Sequence, residues 1–210
     1  MTWILPLLMF LIVFACVATL YTEGMWSNAI SLINVVTAAL LATNFFEPVA
    51  RWLEGMQASY TYVWDFLALW GLFGLFMIVL RALTDQLSKV RVRFLKIADR
   101  IGSGLLSVWI GWVMVCFTMM TLHTAPLARN FLFEGFQPEN KMIFSLAPDR
   151  QWLGFTQKMS MGAYSQSATP AERERYVFDP TGSFMPKYAT RRANLEGHIA
   201  QHDTLRVLGK

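Results

Sequence analysis

The sequence predicts an all-α integral membrane protein, with four transmembrane helices followed by a loosely ordered, partly helical extramembrane C-terminal tail. Three observations predict it. Four apolar stretches of roughly 18–22 residues occur, each long enough for a helix to cross a hydrocarbon core. Charged residues make up 15% of the 210-residue chain, against about 25% in soluble domains. The charges are also unevenly placed, 13 in residues 1–125 and 19 in residues 126–210. The first part therefore reads as a membrane domain (1–125) and the second as a polar tail (126–210).

The first stretch, residues 3–21, is nineteen residues long without a charge. A secretory leader would carry a basic start and a shorter apolar run, so a retained helix is expected. The second, residues 29–46, is the most polar. Ser27, Ser31 and Asn34 lie on one helical face with Ala38. Small and amide side chains allow close approach and interhelical hydrogen bonds of about 1 kcal/mol. The third, residues 62–80, carries Gly71 and Gly74 near its middle and Asp65 near its outer end. The glycines read as positions of close helix contact, and an acid so near the boundary reads as hydrated. The fourth, residues 101–122, follows the pair Asp99–Arg100 and repeats small residues every fourth position at Ser103, Ser107 and Gly111. On a helix these three share one face, a packing seam, with the acid and base holding its water-side entrance.

Orientation follows from the connecting loops. Between the third and fourth stretches lie Arg81, Lys89, Arg91, Arg93, Lys96 and Arg100, six of the 18 basic residues. The positive-inside rule places that loop in the cytoplasm, and four crossings then put both termini on the non-cytoplasmic side. The same clustering explains the net charge of +4 without nucleic acid. Cys16 and Cys116 lie inside apolar stretches, where cysteine behaves as a small hydrophobe.

In the tail, Ala147-Pro-Asp-Arg-Gln-Trp-Leu-Gly-Phe has the form of a helix start, with Pro148 in the first turn and Asp149 near the N-terminus. Trp152, Leu153, Phe155 and Met159 would form its apolar stripe. The Phe178-Asp-Pro-Thr-Gly-Ser segment reads as a turn. Residues 188–200 read as a last polar helix with Arg191 and Arg192 exposed. Too few apolar residues are present for an independent core, so this region is expected to pack on the membrane part or on a partner.

Few residues carry a chemical motif. His198 and His202 are spaced to share a helical face. Ile199 stands where a zinc protease needs glutamate, and no third ligand is evident, so they are weak metal candidates. No phosphate loop, nucleophile elbow or dinucleotide fingerprint occurs. No catalytic residue and no cofactor is expected.

With these residues in hand, the chain resembles the colicin V production protein family over about residues 1–125. Three segments carry the likeness: Tyr21-Thr-Glu-Gly24, Ala42-Thr-Asn-Phe-Phe-Glu-Pro-Val-Ala50, and Ala98-Asp-Arg-Ile followed by Ser103, Ser107 and Gly111. Serines replace two of the family's spaced glycines, and Ile110 stands where a basic residue is frequent. The resemblance implies a multi-pass protein of the bacterial inner membrane, with the lipid bilayer and other membrane or envelope proteins, or further copies of itself, as partners. It implies a role in toxin production or export, or in envelope homeostasis, and no chemical reaction. The alternative is a small oligomeric transporter or channel subunit using Asn34, Asp65 and the third stretch.

Overall fold

A computed structural model describes residues 3–57, 60–88, 95–127, 146–162, 165, 169 and 177–208, with side chains as far as residue 200. The described residues form six helices and no strand: α1 (Ile4–Leu20), α2 (Met25–Met56), α3 (Thr61–Leu87), α4 (Lys96–Thr124), α5 (Pro148–Met161) and α6 (Phe184–Leu208).

Three of the four apolar stretches become helices long and apolar enough to span a bilayer, α2, α3 and α4. The first is shorter. With 17 residues, α1 extends about 25 Å at 1.5 Å per residue. It stops because its last carbonyls find partners on neighbouring helices. Asn28 Nδ2 donates to the Leu20 carbonyl at 3.0 Å, and Ser103 Oγ donates to the Tyr21 carbonyl at 2.8 Å.

All three long helices overrun the predicted spans. α2 continues for 32 residues through Pro48, although proline cannot donate to the Asn44 carbonyl. Its last turns lie beyond the apolar stretch and carry Glu47 and Glu54, which pair with Lys187 and Arg191 of α6.

The first four helices alternate in direction. Trp26 at the start of α2 donates its indole N–H to Ser88 just past α3. Leu5 and Met9 near the start of α1 pack with Val115 and Met119 near the end of α4. One end of the bundle thus gathers the α1–α2 turn and the entrance of α4. The opposite end gathers the C-terminus of α2, the start of α3 and the end of α4.

The core is built of small and aromatic residues. Ala38, Ala39 and Ala42 let the helices approach α2, and Phe46, Phe73 and Phe117 fill the space beyond them. Phe73 and Phe117 have ring centroids 4.9 Å apart, and Trp152 of α5 stands edge-on to Phe117 at 5.7 Å. Long apolar side chains point outward along α1 (Leu7, Phe10, Phe14), α3 (Leu75, Ile78) and α4 (Leu105, Trp109). So much exposed apolar surface on helices of this length fits a lipid-facing protein.

The C-terminal helices do not hang loosely. Trp152 of α5 and Phe184 and Tyr188 of α6 belong to the same core as Phe46 and Phe117. The predicted helix start at Pro148 and Asp149 is where α5 begins. Asp179, in the predicted turn, accepts hydrogen bonds from the backbone N–H groups of Ser183 and Phe184, which starts α6.

Candidate functional site

Polar residues collect at the two ends of the bundle. The first collection is a joint between α1, α2 and α4. Gly24 turns the chain from α1 into α2 with φ +92° and ψ 160°, a region essentially open to glycine alone. This turn exposes the first backbone N–H of α2, and Asp99 takes it: Met25 N donates to Asp99 Oδ1 at 2.9 Å. A carboxylate there satisfies an orphan donor and sits at the positive end of the helix dipole. Asp99 therefore binds another helix rather than Arg100, whose side chain is exposed. Successive helical residues point apart, so the two cannot pair across one turn.

One turn further in, Asn28 is fully buried. Its amide N–H groups reach the Leu20 carbonyl and, on α4, the Ser103 carbonyl at 3.1 Å and Ser103 Oγ at 2.8 Å. Three helices are thereby fastened by one amide and one hydroxyl. Asn28 Oδ1 is buried and accepts no hydrogen bond.

The seam continues along α4. Ser107 is fully buried and turns its hydroxyl back to the Gly104 carbonyl. At Gly111 a Cβ would stand 3.0 Å from the Cα of Val13 in α1, so glycine permits the contact. Ser103, Ser107 and Gly111 are all buried. In α2, Asn34 donates to Thr84 Oγ1 of α3 at 2.9 Å. Ser27 and Ser31 are half-buried, and Ser27 donates to Glu23. Gly71 and Gly74 depart from the expected close contact within the chain: a Cβ at either would meet no atom within 4 Å. They lie on parts of α3 turned away from its neighbours.

The opposite end holds a second polar collection, and here sequence reasoning differs most from the structure. Asp65 is not hydrated at a boundary. It is buried and stands 3.1 Å from Arg191 Nη1 of α6. Arg191 also donates to Glu54 Oε1 at 2.8 Å and to the Thr61 carbonyl, and its guanidinium lies over the Tyr62 ring, 5.7 Å from the centroid. Lys187, one turn earlier, pairs with Glu47 at 2.7 Å. Arg192 is buried and donates to the His123 carbonyl at 3.3 Å. Neither arginine is exposed as expected, because α6 lies against the bundle end instead of in solvent.

His123 is buried with Nε2 3.0 Å from Asp149 Oδ2 of α5. Trp152, one turn after Asp149, donates its indole N–H to Thr43 Oγ1 of α2 at 3.1 Å. Tyr188 lies deep in this end. Its pKa is raised, first by burial and then by the negative charge of Asp65 and Glu47.

His198 is exposed, with its ring 6.4 Å from that of Tyr62. The side chain of His202 lies outside the described residues. Among the described residues no group of three or more His, Cys, Asp and Glu is placed to hold a metal ion.

Sequence reasoning found Asp99, Ser103, Ser107 and Gly111 because regular spacing marks one helical face. It missed Asn28 as the centre of the joint and the pairs His123–Asp149 and Asp65–Arg191. Those pairs join residues 26 and 126 positions apart, and no local pattern signals them.

Comparison with known proteins gives one match. The family model described as Colicin V production protein matches residues 5–137. No curated protein and no solved structure matches the chain.

Proposed function

The chain belongs to the colicin V production protein family, and from that premise we propose that it is a non-enzymatic, multi-pass protein of the bacterial cytoplasmic membrane. Its role is to assist toxin production or export, or the upkeep of the envelope, as a scaffold for other membrane proteins or further copies of itself. In this reading α1 is a fourth crossing. The loop between α3 and α4, with its cluster of basic residues, lies in the cytoplasm, and α5, α6 and both termini lie on the other side.

One observation carries the scaffold reading. The segments by which the chain resembles its family, the Tyr21–Gly24 turn and the Asp99 entrance of α4, meet in one joint and hydrogen-bond there. They hold helices together rather than line an opening. The same logic disfavours a solute path through Asn34 and Asp65. Asn34 is bonded to Thr84, and Asp65 is paired with Arg191.

The test is complementation. A bacterial host lacking its own family member is supplied with this chain, and production of colicin V is measured. Restoration by the native chain and its loss in Asp99→Ala, at equal membrane content, is the expected result. Saturable solute flux through the purified protein in liposomes, abolished by Asn34→Ala, would instead establish the transporter reading.

A further inference from the structure

The residues around Arg191 form more than a salt bridge. Two carboxylates, a backbone carbonyl and an aromatic face converge on one guanidinium: Glu54 and Asp65 as anions, the Thr61 carbonyl as a neutral acceptor, and Tyr62 as a π surface. Arginine's planar fork of donors suits such a set, and a compact ammonium does not. The lining stands on two helices of the bundle. Glu54 lies on the last turns of α2, and Thr61, Tyr62 and Asp65 lie on the first turns of α3.

Two further facts separate this site from an ordinary structural ion pair. All four lining residues fall inside the segment that matches the family, residues 5–137, whereas Arg191 lies outside it. The family domain thus supplies the receptor and the tail supplies the ligand. In addition, the pair is buried on the carboxylate side: Asp65 is 5% exposed and its Oδ2 meets Arg191 Nη1 across 3.1 Å, so the guanidinium compensates a charge that water hardly reaches.

We propose that the end of α2 and the start of α3 form an arginine-binding site, which the chain's own tail fills through Arg191 and which accepts an arginine side chain of another polypeptide when the tail is drawn away. Tethering gives Arg191 an effective concentration on the order of millimolar, so the tail acts as a self-supplied competitor. A partner must therefore displace the tail's hold or bring contacts of its own. The proposal does not depend on a role in toxin production.

The test uses the full chain in lipid nanodiscs, with N-acetylarginine methylamide as the probe. The corresponding citrulline and lysine amides serve as neutral and ammonium controls at equal ionic strength. Arg191→Ala empties the site, and the arginine probe is expected to raise its melting temperature saturably, by roughly 3 °C. The citrulline amide should give no rise, and the lysine amide less than half of it. The double variant Arg191→Ala, Asp65→Asn should lose the response. Arg191→Gln, which keeps the length of the side chain, guards against poor folding of the alanine variant, and both are purified with the probe present. An equal response to the lysine amide overturns the proposal, as does a response that survives Asp65→Asn or the absence of any saturable rise. Failure of both variants to fold even with the probe counts against it too, because a filled site should restore them.

Discussion

Asp99→Ala isolates the joint of α1, α2 and α4. The mutation removes the acceptor of the Met25 N–H, held at 2.9 Å in a half-buried setting. Loss of a helix cap costs about 1 kcal/mol, and hydrogen bonds to charged groups contribute about 1.5–3 kcal/mol. Partial access to water lowers the upper figure, so the expected loss is about 1.5 kcal/mol. For a chain of this length that is a fall in melting temperature of roughly 3–6 °C. Asp99→Asn keeps an acceptor and loses the charge, so about half the effect should remain. Gly24→Ala strains the turn, at about 1–3 kcal/mol for such a backbone, and brings a Cβ within 3.4 Å of Asp99 Oδ2. The Gly24 turn aims the Met25 N–H that Asp99 accepts. The double variant should therefore cost about 0.5–1 kcal/mol less than the sum of the singles. Thermal unfolding in nanodiscs, followed by circular dichroism, measures these variants and Arg100→Ala against the native chain. The reasoning fails if Asp99→Asn is as damaging as Asp99→Ala, if the double variant is additive, or if Arg100→Ala matches Asp99→Ala. The last result would restore the adjacent acid and base as the working pair.

Three further perturbations follow from the same geometry. Asn28→Leu removes the buried amide that donates to the Leu20 carbonyl and to the Ser103 carbonyl and hydroxyl and should cost about 2–4 kcal/mol, while Asn34→Leu, which loses its bond to Thr84, should cost half as much or less; equal melting temperatures for the two would contradict the central place given to Asn28. Trp152→Ala empties space between Phe117, Phe155 and Thr43 and should lower stability by about 3–5 kcal/mol, whereas a loss below about 1 kcal/mol in chemical unfolding would mean that α5 is not part of the core. Tyr188 has its pKa raised in the folded state, so its contribution is complete below the unfolded value of about 10 and is lost as pH rises beyond it; the native chain should lose stability above pH ~10 more steeply than Tyr188→Phe, and parallel curves would refute the assignment.

Much of the architecture was legible because membrane helices obey few rules. A backbone in lipid must satisfy itself, so long apolar stretches become helices. Ser103, Ser107 and Gly111 could be read as a buried seam because a period of four places them on one side of a helix. The same argument gave too much weight to Gly71 and Gly74. Small residues permit a close neighbour without requiring one, and here α3 turns them away from the rest of the chain. The helix ends were less legible. Hydropathy marks where the apolar stretch stops, but α2 continues to Met56 because Glu47 and Glu54 have cations waiting on α6.

That the tail packs on the membrane part was expected, but how far it enters the core was not, for a physical reason that reaches beyond this chain. Counting apolar residues showed that the tail could not build a core of its own, which is true. That count does not tell an appendage from a segment that completes a neighbour's core. Trp152, Phe184 and Tyr188 are few, yet each enters a cluster already formed by α2, α3 and α4. Charge decided the matter as strongly as apolarity. Asp65 and His123 sit buried in the family-matched segment. A buried carboxylate without a partner costs several kcal/mol. Arg191 and Asp149, both beyond that segment, supply the missing partners. The two ends of the bundle therefore differ in kind. The Asp99 end closes with residues of the family segment itself, whereas the Asp65 end closes only with the tail.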